Sequence, residues 1–262
     1  MKKFMFFLLA SLWLTTSLLA RVGDILQTIP SPGLRPTGLA FDGKHLWLAD
    51  AHNDKIIKVD PRTGAVVASL ESPGYHPEGL AWDGRHLWHV DAGEKLLYRI
   101  DPATGRVEQA LESNSPNPRG IAWDGRDIWM IDHKSDAVLR VSPVDGMMIQ
   151  TFPSPAAEPT GITFDGKYLW IADRGTDRIY LVNPADGLCL SSLRAPGPFP
   201  SGLAWAEGSL WCADFENREI YQIEVLSAEI MTRWDKKELD LTFIKEFRNY
   251  GPGTVTGLDI YL

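Results

Sequence analysis

Two absences limit what this sequence of 262 residues can be. Beyond the first twenty residues no segment is long and apolar enough to cross a bilayer. A net charge of −8 leaves no excess of lysine and arginine with which to bind a phosphate backbone. We therefore expect neither a nucleic acid partner nor a membrane partner for the mature chain.

Cysteine is also scarce, and the usual catalytic motifs are missing. An oxidising compartment would permit a bridge between Cys189 and Cys212, the two cysteines. The repeat described below places the first on an outer strand and the second on an inner one, so we expect two reduced, buried thiols. No HExxH, CxxC, GxSxG, P-loop or EF-hand pattern occurs, and we predict no metal and no cofactor.

The N-terminus has the pattern of a secretory signal peptide. Lys2 and Lys3 precede an apolar run over residues 4–14, and Ala20 is a small residue at a suitable cleavage point. We predict a signal peptide over residues 1–20 and a periplasmic or secreted protein; an uncleaved anchor is the alternative. Cleavage would remove two lysines and no acidic residue, making the mature chain more acidic.

A repeat of 41 residues dominates the rest of the sequence. Four residue types recur in one register over five copies. They are Pro36, Pro77, Pro118, Pro159 and Pro200; Gly38, Gly79, Gly120, Gly161 and Gly202; Trp47, Trp88, Trp129, Trp170 and Trp211; and Asp50, Asp91, Asp132, Asp173 and Asp214.

Each copy predicts four short strands. An Asp-Gly pair, such as Asp42-Gly43, indicates a two-residue hairpin turn with positive φ angles between the first and second strands. A Pro-x-x-Gly turn, such as residues 61–64, separates the third and fourth. The second strand is apolar at successive positions and must be covered on both faces. Four-stranded sheets stacked around an axis satisfy this, with the repeated tryptophans packed between them, so the repeat predicts an all-β propeller.

The two ends of the repeat region predict how the ring closes. Residues 22–30 align with a fourth strand whose first three partners are missing, whereas the fifth copy lacks a fourth strand. We predict a five-bladed propeller over residues 21–226 in which the N-terminal segment completes the last blade. Residues 226–234 are the alternative source of that strand, or the start of a degenerate sixth blade. Residues 227–262 predict a C-terminal β-hairpin, or the start of a second, truncated domain.

The candidate binding site lies where equivalent positions stop repeating. Strand directions place the start of each first strand and the end of each second strand at one mouth of the channel. There the residue after the repeated proline and the residue after the repeated aspartate both vary. We predict a ligand site at this mouth, with the alternative that these are ordinary solvated loop residues. The candidates are Glu78, Arg119, His133, Arg174 and Phe215.

Two further sets of residues have competing interpretations. His89 replaces Leu48, Met130 and other apolar equivalents. It either forms hydrogen bonds within its blade, which we favour, or faces the channel as a ligand-binding group. The five repeated aspartates could form a cation ring, but we expect them to accept N–H bonds from the adjoining loops instead.

The pattern PTGLAWDG…LWxAD…xxIYxxDPxTG resembles the propeller superfamily of NHL-repeat, virginiamycin B lyase-like and glutamine cyclotransferase-like proteins. Among these, five blades favour the glutaminyl-peptide cyclotransferases, which form pyroglutamate through an acidic proton shuttle without a metal. Residues 36–39 match that family's first-blade motif in part. Residues 49–52 read Ala-Asp-Ala-His where the family has Glu-Ser-Thr-Gly, so the expected glutamate is absent.

A propeller alone fixes no function, and three functions stay open. The first is an exported binding module that takes a small molecule or peptide at the channel mouth, or a protein partner. The second is a cyclotransferase-like enzyme, for which Glu78 and Asp50 are the candidate proton carriers. The third is a metal-dependent lyase or lactonase.

Overall fold

Five four-stranded antiparallel sheets make up residues 22–225, the part of the chain that the structure, a computed structural model, describes. They form an all-β, five-bladed propeller, as predicted. Within these residues there is no helix of the length and apolarity needed to cross a bilayer. The predicted signal peptide and C-terminal hairpin lie outside the described residues.

The blades follow one another along the chain, with the strands of each counted outward from the axis. Blade 1 comprises β2 (Pro36–Phe41), β3 (Leu46–Asp50), β4 (Lys55–Val59) and β5 (Val66–Glu71); blade 2 comprises β6 (Pro77–Trp82), β7 (Leu87–Asp91), β8 (Leu96–Ile100) and β9 (Val107–Glu112). Blade 3 comprises β10 (Pro118–Trp123), β11 (Ile128–Asp132), β12 (Ala137–Val141) and β13 (Met148–Pro153); blade 4 comprises β14 (Pro159–Phe164), β15 (Leu169–Asp173), β16 (Arg178–Val182) and β17 (Cys189–Arg194). Blade 5 comprises β18 (Pro200–Ala206), β19 (Ser209–Asp214), β20 (Glu219–Ile223) and the N-terminal strand β1 (Ile25–Pro30).

Strand β1 closes the ring. It pairs antiparallel with β20, with Thr28 opposite Tyr221 and Ile29 opposite Ile220. The Gly23 amide donates to the Glu224 carbonyl at 2.8 Å and extends the pairing beyond the strand. The first strand of the described chain therefore completes the last blade, as predicted from the repeat register.

The repeated tryptophans fill the interfaces between blades. Trp47 is 1% exposed and packs with Leu80, Leu87 and Ile100 of blade 2. Each of the five apolar clusters likewise joins two neighbouring blades around one tryptophan. In four blades the indole Nε1 also donates to the turn aspartate, as Trp129 does to Asp124 at 2.8 Å. This bond fixes the ring while its faces are buried, and it confirms the structural role predicted for these residues.

The Asp-Gly turns differ from the prediction by one position. Only the glycine has a positive φ, 92° at Gly43, and the residues that span the turn are Gly43 and Lys44. Asp42 instead pairs with His45, and its carboxylate accepts the amides of Lys44 and His45 at 2.9 and 2.7 Å. The carboxylate takes the bond that a carbonyl would otherwise make, so aspartate is required before the turn rather than within it.

Glycine recurs on the inner strands because the five strands meet at the axis. A Cβ atom added to Gly38 would lie 2.1 Å from the Glu78 carbonyl oxygen of the next blade. Added to Gly79, it would lie 2.5 Å from the Arg119 carbonyl oxygen, and the contact repeats around the ring. These glycines narrow the channel at its middle and separate its two mouths. They are Gly38, Gly79, Gly120, Gly161 and Gly202.

Both cysteines are free, and one of them is more exposed than the sequence predicted. Cys212 is fully buried on β19, and burial strongly raises the pKa of its thiol. Cys189 is exposed on β17, so the prediction of a buried thiol there was wrong. The outer strand of a blade has no neighbouring blade over its far edge, and apolar residues there stay partly in solvent.

Candidate functional site

The candidate site is a cavity of about 120 Å³ at the mouth where the five inner strands begin. The ring of inner-strand glycines lies below it, and its wall consists of residues at the start of the five inner strands and in the loops beside them. We refer to this cavity as the funnel. It is lined by Arg35, Pro36, Thr37, Glu78, Arg119, Thr160, Arg174, Phe199, Ser201 and Phe215.

The five repeated aspartates hold the loops that carry this wall. Asp50 is fully buried and accepts the Arg35 amide at 2.9 Å and the His52 amide at 3.1 Å. Asp173 and Asp214 accept the equivalent amides at 2.7 Å. The predicted loop-holding role is confirmed, and Asp50, a candidate proton carrier, does not line the funnel. Among residues 22–225 no group of three or more histidine, cysteine or acidic side chains could hold a metal ion.

Cross-strand pairing then places two variable rings side by side. In each blade the residue after the aspartate donates its amide to the residue before the proline, as Phe215 does to Phe199 at 3.0 Å and Arg174 to Glu158 at 3.1 Å. In these two pairs the side chains are in contact as well. The two phenylalanine rings lie 5.1 Å apart, and Arg174 Nε lies 2.6 Å from Glu158 Oε2.

The position after the proline serves two purposes. In blades 1 and 4 it is threonine, whose hydroxyl donates to the proline carbonyl of the next blade: Thr37 to Pro77 at 2.8 Å and Thr160 to Pro200 at 2.7 Å. These hydroxyl groups hold neighbouring blades together. In blades 2 and 3 the same position carries Glu78 and Arg119, which form an ion pair. This part of the wall is therefore charged and does not repeat the threonine arrangement of blades 1 and 4.

Glu78 and Arg119 form an ion pair inside the funnel. Arg119 Nη1 lies 2.5 Å from Glu78 Oε1, and the glutamate side chain is only 7% exposed. Burial raises the pKa of Glu78, although the positive charge of Arg119 opposes this shift. Arg119 Nε is buried without a hydrogen-bond partner. This N–H group is enclosed by protein atoms, and a buried N–H group without a partner is unusual.

An arginine–phenylalanine wall forms the other side of the funnel. The guanidinium of Arg35 from blade 1 lies 5.7 Å from the Phe215 ring centre, and that of Arg174 from blade 4 lies 5.2 Å from the Phe199 ring centre. Both phenylalanines belong to blade 5 and are half-buried. Stacking on aromatic faces orients a guanidinium without using its N–H donors.

The structure brings four of the sequence-predicted residues together and leaves two apart. Glu78, Arg119, Arg174 and Phe215 line the funnel. His133 lies behind it: its Nδ1 is 3.2 Å from the Pro159 carbonyl, and its Nε2 faces Arg174 Nη2 at 3.5 Å. Donation from Nδ1 to the carbonyl leaves Nε2 as an acceptor for Arg174, so His133 positions that guanidinium rather than lining the cavity.

His89 is inside its blade, which confirms the favoured interpretation. Its ring is fully buried, stacks on Tyr98, and lies 3.2 Å from Ser72 Oγ and 3.3 Å from the Gly79 carbonyl. Burial lowers its pKa from 6.5 to about 4, against the opposing effect of Asp91. The neutral ring is therefore the stable form in the folded protein.

This burial makes stability depend on pH. The folded pKa of His89 is below the unfolded value, so its contribution is complete above pH 6.5 and is lost as pH falls toward 4. We expect a loss of about 3 kcal/mol over this window, at 1.36 kcal/mol per pKa unit. His89→Leu, which copies Leu48 of blade 1, should cost about 1–2 kcal/mol at pH 7 because Gly79 loses a partner, and should remove this part of the pH dependence.

Urea denaturation of both proteins at several pH values between 7 and 4 measures the difference. His52→Asn, at an exposed loop residue, is the control and should keep the parental pH profile. A parallel fall of the parent and His89→Leu curves would show that other groups cause the acid sensitivity.

No protein-family model matches the sequence, and a comparison with curated proteins finds no significant match. The solved structures that it resembles include the following three. Glutaminyl cyclase from Myxococcus xanthus is 15% identical, with 78% of this chain and 97% of that chain covered and a TM-score of 0.69. The Cps50 (Swd1) β-propeller domain from Myceliophteria thermophila is 12% identical, with 78% and 100% covered and a TM-score of 0.51. Virginiamycin B lyase from Staphylococcus aureus is 19% identical, with 73% and 66% covered and a TM-score of 0.48.

The comparisons confirm one prediction, the fold. This chain is a five-bladed β-propeller. At these identities the likeness extends to the backbone architecture, and the chemistry of the site has to come from this chain's own side chains.

Sequence reasoning did not select six of the ten lining residues, and two of these, Arg35 and Phe199, form part of the arginine–phenylalanine wall. Both occupy the position before the repeated proline, where the five copies read Arg35, His76, Asn117, Glu158 and Phe199. This position varies as much as the two that were selected, so the same signal would have found it. What the sequence did not reveal is that cross-strand pairing brings this ring beside the residues that follow the aspartates.

Proposed function

We propose that this protein is a binding module that takes a small molecule, or the end of a peptide, in the funnel. The observation that carries the proposal is the makeup of the lining. The residues that depart from the repeat converge on one cavity, and they bring three guanidinium groups and two phenylalanine rings to it. Side chains freed from symmetry and held by a rigid scaffold are typical of binding sites.

The scaffold supports this proposal because it fixes the wall before any ligand arrives. Fully buried aspartates hold the loop backbones, and hydroxyl groups join neighbouring blades at the floor. A preformed wall loses little conformational entropy on binding, so even a small ligand can retain most of its contact energy.

Ligand-observed NMR with a fragment library that includes anionic, neutral and cationic compounds tests the proposal. Fragments that bind the parent protein should lose binding in Arg174→Ala, which removes one side of the wall. Arg62→Ala is the matched control: Arg62 is an exposed arginine in the Pro-x-x-Gly turn between the outer strands β4 and β5, on the opposite face of the propeller, and its loss should change nothing. Fragment binding that persists in both Arg174→Ala and Arg119→Ala would place the site elsewhere.

A second candidate function is glutaminyl cyclisation, and Glu78 is the observation that favours it. A buried carboxyl with a raised pKa in a cavity has the character of a proton carrier. In this reaction the α-amine of an N-terminal glutamine attacks its own side-chain amide carbon, the C–N bond breaks and ammonia leaves. Glu78 would take the amine proton and return it to the leaving nitrogen. Asp50, enclosed by loop donors, is not available for this role.

Ammonia release from a peptide that begins with glutamine tests the second function. Cyclisation by Glu78 predicts that the parent protein releases ammonia and that Glu78→Gln does not. Asp50→Asn, once it is shown to be folded, should still release ammonia because Asp50 is not available for this role. Release that continues in Glu78→Gln would eliminate this mechanism.

We also propose that the chain is exported, on the basis of the charge and apolar pattern of residues 1–20. Cell fractionation, with a variant in which Lys2 and Lys3 become glutamate, tests it. Recovery of the parent chain in the cytosolic fraction would contradict export.

A further inference from the structure

We infer that the ligand of the funnel is a carboxylate joined directly to an apolar group, such as an arylacetate or the C-terminus of a peptide ending in a hydrophobic residue. This inference rests on the proposed binding function and names its ligand class. Three observations support it: the charge of the lining, the size of the cavity and the arrangement of the arginine–phenylalanine wall.

The lining carries positive charge that the described residues do not balance. Three arginines and one glutamate line the funnel in a chain whose net charge is −8. Glu78 is used by Arg119, and Glu158 at the rim is used by Arg174. Arg35 forms no ion pair within 4 Å among residues 22–225; its guanidinium lies over the Phe215 ring, and its positive charge acts on Glu78 from a longer distance. An anion would complete this arrangement.

The unused donors favour a small planar anion. Arg35 lines the cavity, and its guanidinium donates no hydrogen bond among residues 22–225. A guanidinium fork matches the two oxygens of a carboxylate, and such charged bonds are among the strongest that a protein makes. The cavity of about 120 Å³ is smaller than the roughly 300–1,000 Å³ of a site that encloses a drug-sized molecule, so it accepts one end of a ligand.

The rest of the ligand would lie against the two phenylalanines. Phe199 and Phe215 lie at the rim, tilted by 49° to each other and half-buried, each with a guanidinium on one side. An apolar group attached to the carboxylate would cover their exposed surface while the carboxylate reaches Arg35. This geometry favours a ligand whose charged end and apolar body are directly joined.

Calorimetric titration with matched probes tests the ligand class. Phenylacetate should bind, whereas phenylacetamide, which has the same shape without the charge, should bind at least about tenfold more weakly. Acetate, which lacks the apolar body, should also bind more weakly. Phenyl phosphate, if it binds more tightly than phenylacetate, would replace carboxylate by phosphate as the recognised group and overturn the inference.

Variants connect the binding to the named residues. Arg35→Gln should weaken phenylacetate binding by about tenfold or more, and Phe215→Leu should weaken phenylacetate more than acetate. Glu78→Gln should strengthen phenylacetate binding, since it removes a competing carboxylate and frees Arg119. Arg62→Gln, in an outer turn on the opposite face, is the control and should bind as the parent does. Thermal melting of each variant confirms that it is folded.

The results separate the ligand class from the proposed function. Equal affinity for phenylacetate and phenylacetamide, or a parental affinity in Arg35→Gln, would overturn the carboxylate class. Failure of phenylacetate to bind at millimolar concentration would do the same. In each case the binding function would still stand if fragments of another class bind the parent and are lost in Arg174→Ala. If fragments bind the parent and still bind both Arg174→Ala and Arg119→Ala, the site lies elsewhere and the proposed function of the funnel is wrong.

Discussion

Replacing Gly38 with alanine is expected to destabilise the propeller by about 4 kcal/mol, an exceptional cost for the addition of one methyl group. The new Cβ would lie 2.1 Å from the Glu78 carbonyl oxygen and 2.8 Å from the Leu80 amide nitrogen. Both are backbone atoms of the next inner strand, which is itself held by the strand after it. The strain cannot be relieved by turning a side chain, so the whole ring would have to widen. A domain of this size should lose about 10 °C in melting temperature.

The matched control is Gly43→Ala in the same blade. A Cβ at Gly43 meets nothing within 4 Å, and the only cost is its φ of 92°, which should amount to about 1–2 kcal/mol. Differential scanning calorimetry of the two variants compares the melting temperature lost through steric crowding at residue 38 with that lost through backbone strain at residue 43. If Gly38→Ala melts no lower than Gly43→Ala, the inner strands are not packed as closely as described.

Replacing residues 22–31 with a glycine–serine stretch of equal length is expected to open the ring and abolish cooperative unfolding. The change removes β1 and its pairing with β20, and it deletes the buried Ile29 from the cluster that joins blades 5 and 1. Blade 5 would be left with three strands, and the outer edge of β20 would be unpaired, so association of chains should follow. Loss of Ile29 alone should cost about 2–5 kcal/mol.

A synthetic peptide of residues 22–31 supplied in trans should restore part of the stability, because the edge that it pairs with would still be present. Leu26→Ala is the control for a change within β1 that leaves the ring closed, since Leu26 is 43% exposed. Calorimetry and sedimentation measure both effects. A sharp, unshifted transition in the replaced chain would mean that the ring does not depend on β1.

Most of the architecture was predictable because the same sequence pattern occurs in all five blades. A single Gly-Leu-Ala-Trp or Leu-Trp segment would be ambiguous between a strand and a buried helix, but five copies at a spacing of 41 residues are not. The closing strand was predictable for the same reason, since Gly23 lies one period before Gly64. Cys189 shows the limit: its strand was correct, but its exposure depends on which side of the outermost strand lacks a neighbour.

The candidate site was predictable only in part. Variation among equivalent positions found Glu78, Arg119, Arg174 and Phe215, but His133 was placed in the wall when it supports Arg174 from behind. Arg35 was missed, although its stacking on Phe215 joins blade 1 to blade 5. Such contacts join residues that are far apart in the sequence, and no local pattern records them.

The sequence by itself determined the number of blades, the strands of each blade, the turns that join them and the strand that closes the ring. These follow from local hydrogen bonding and from an apolar pattern that every copy obeys. Only the tertiary structure decided which of the varying residues share the funnel, which charges are paired and which donor is left without a partner. Those properties depend on the distances between residues of different blades, which are fixed only when the ring has closed.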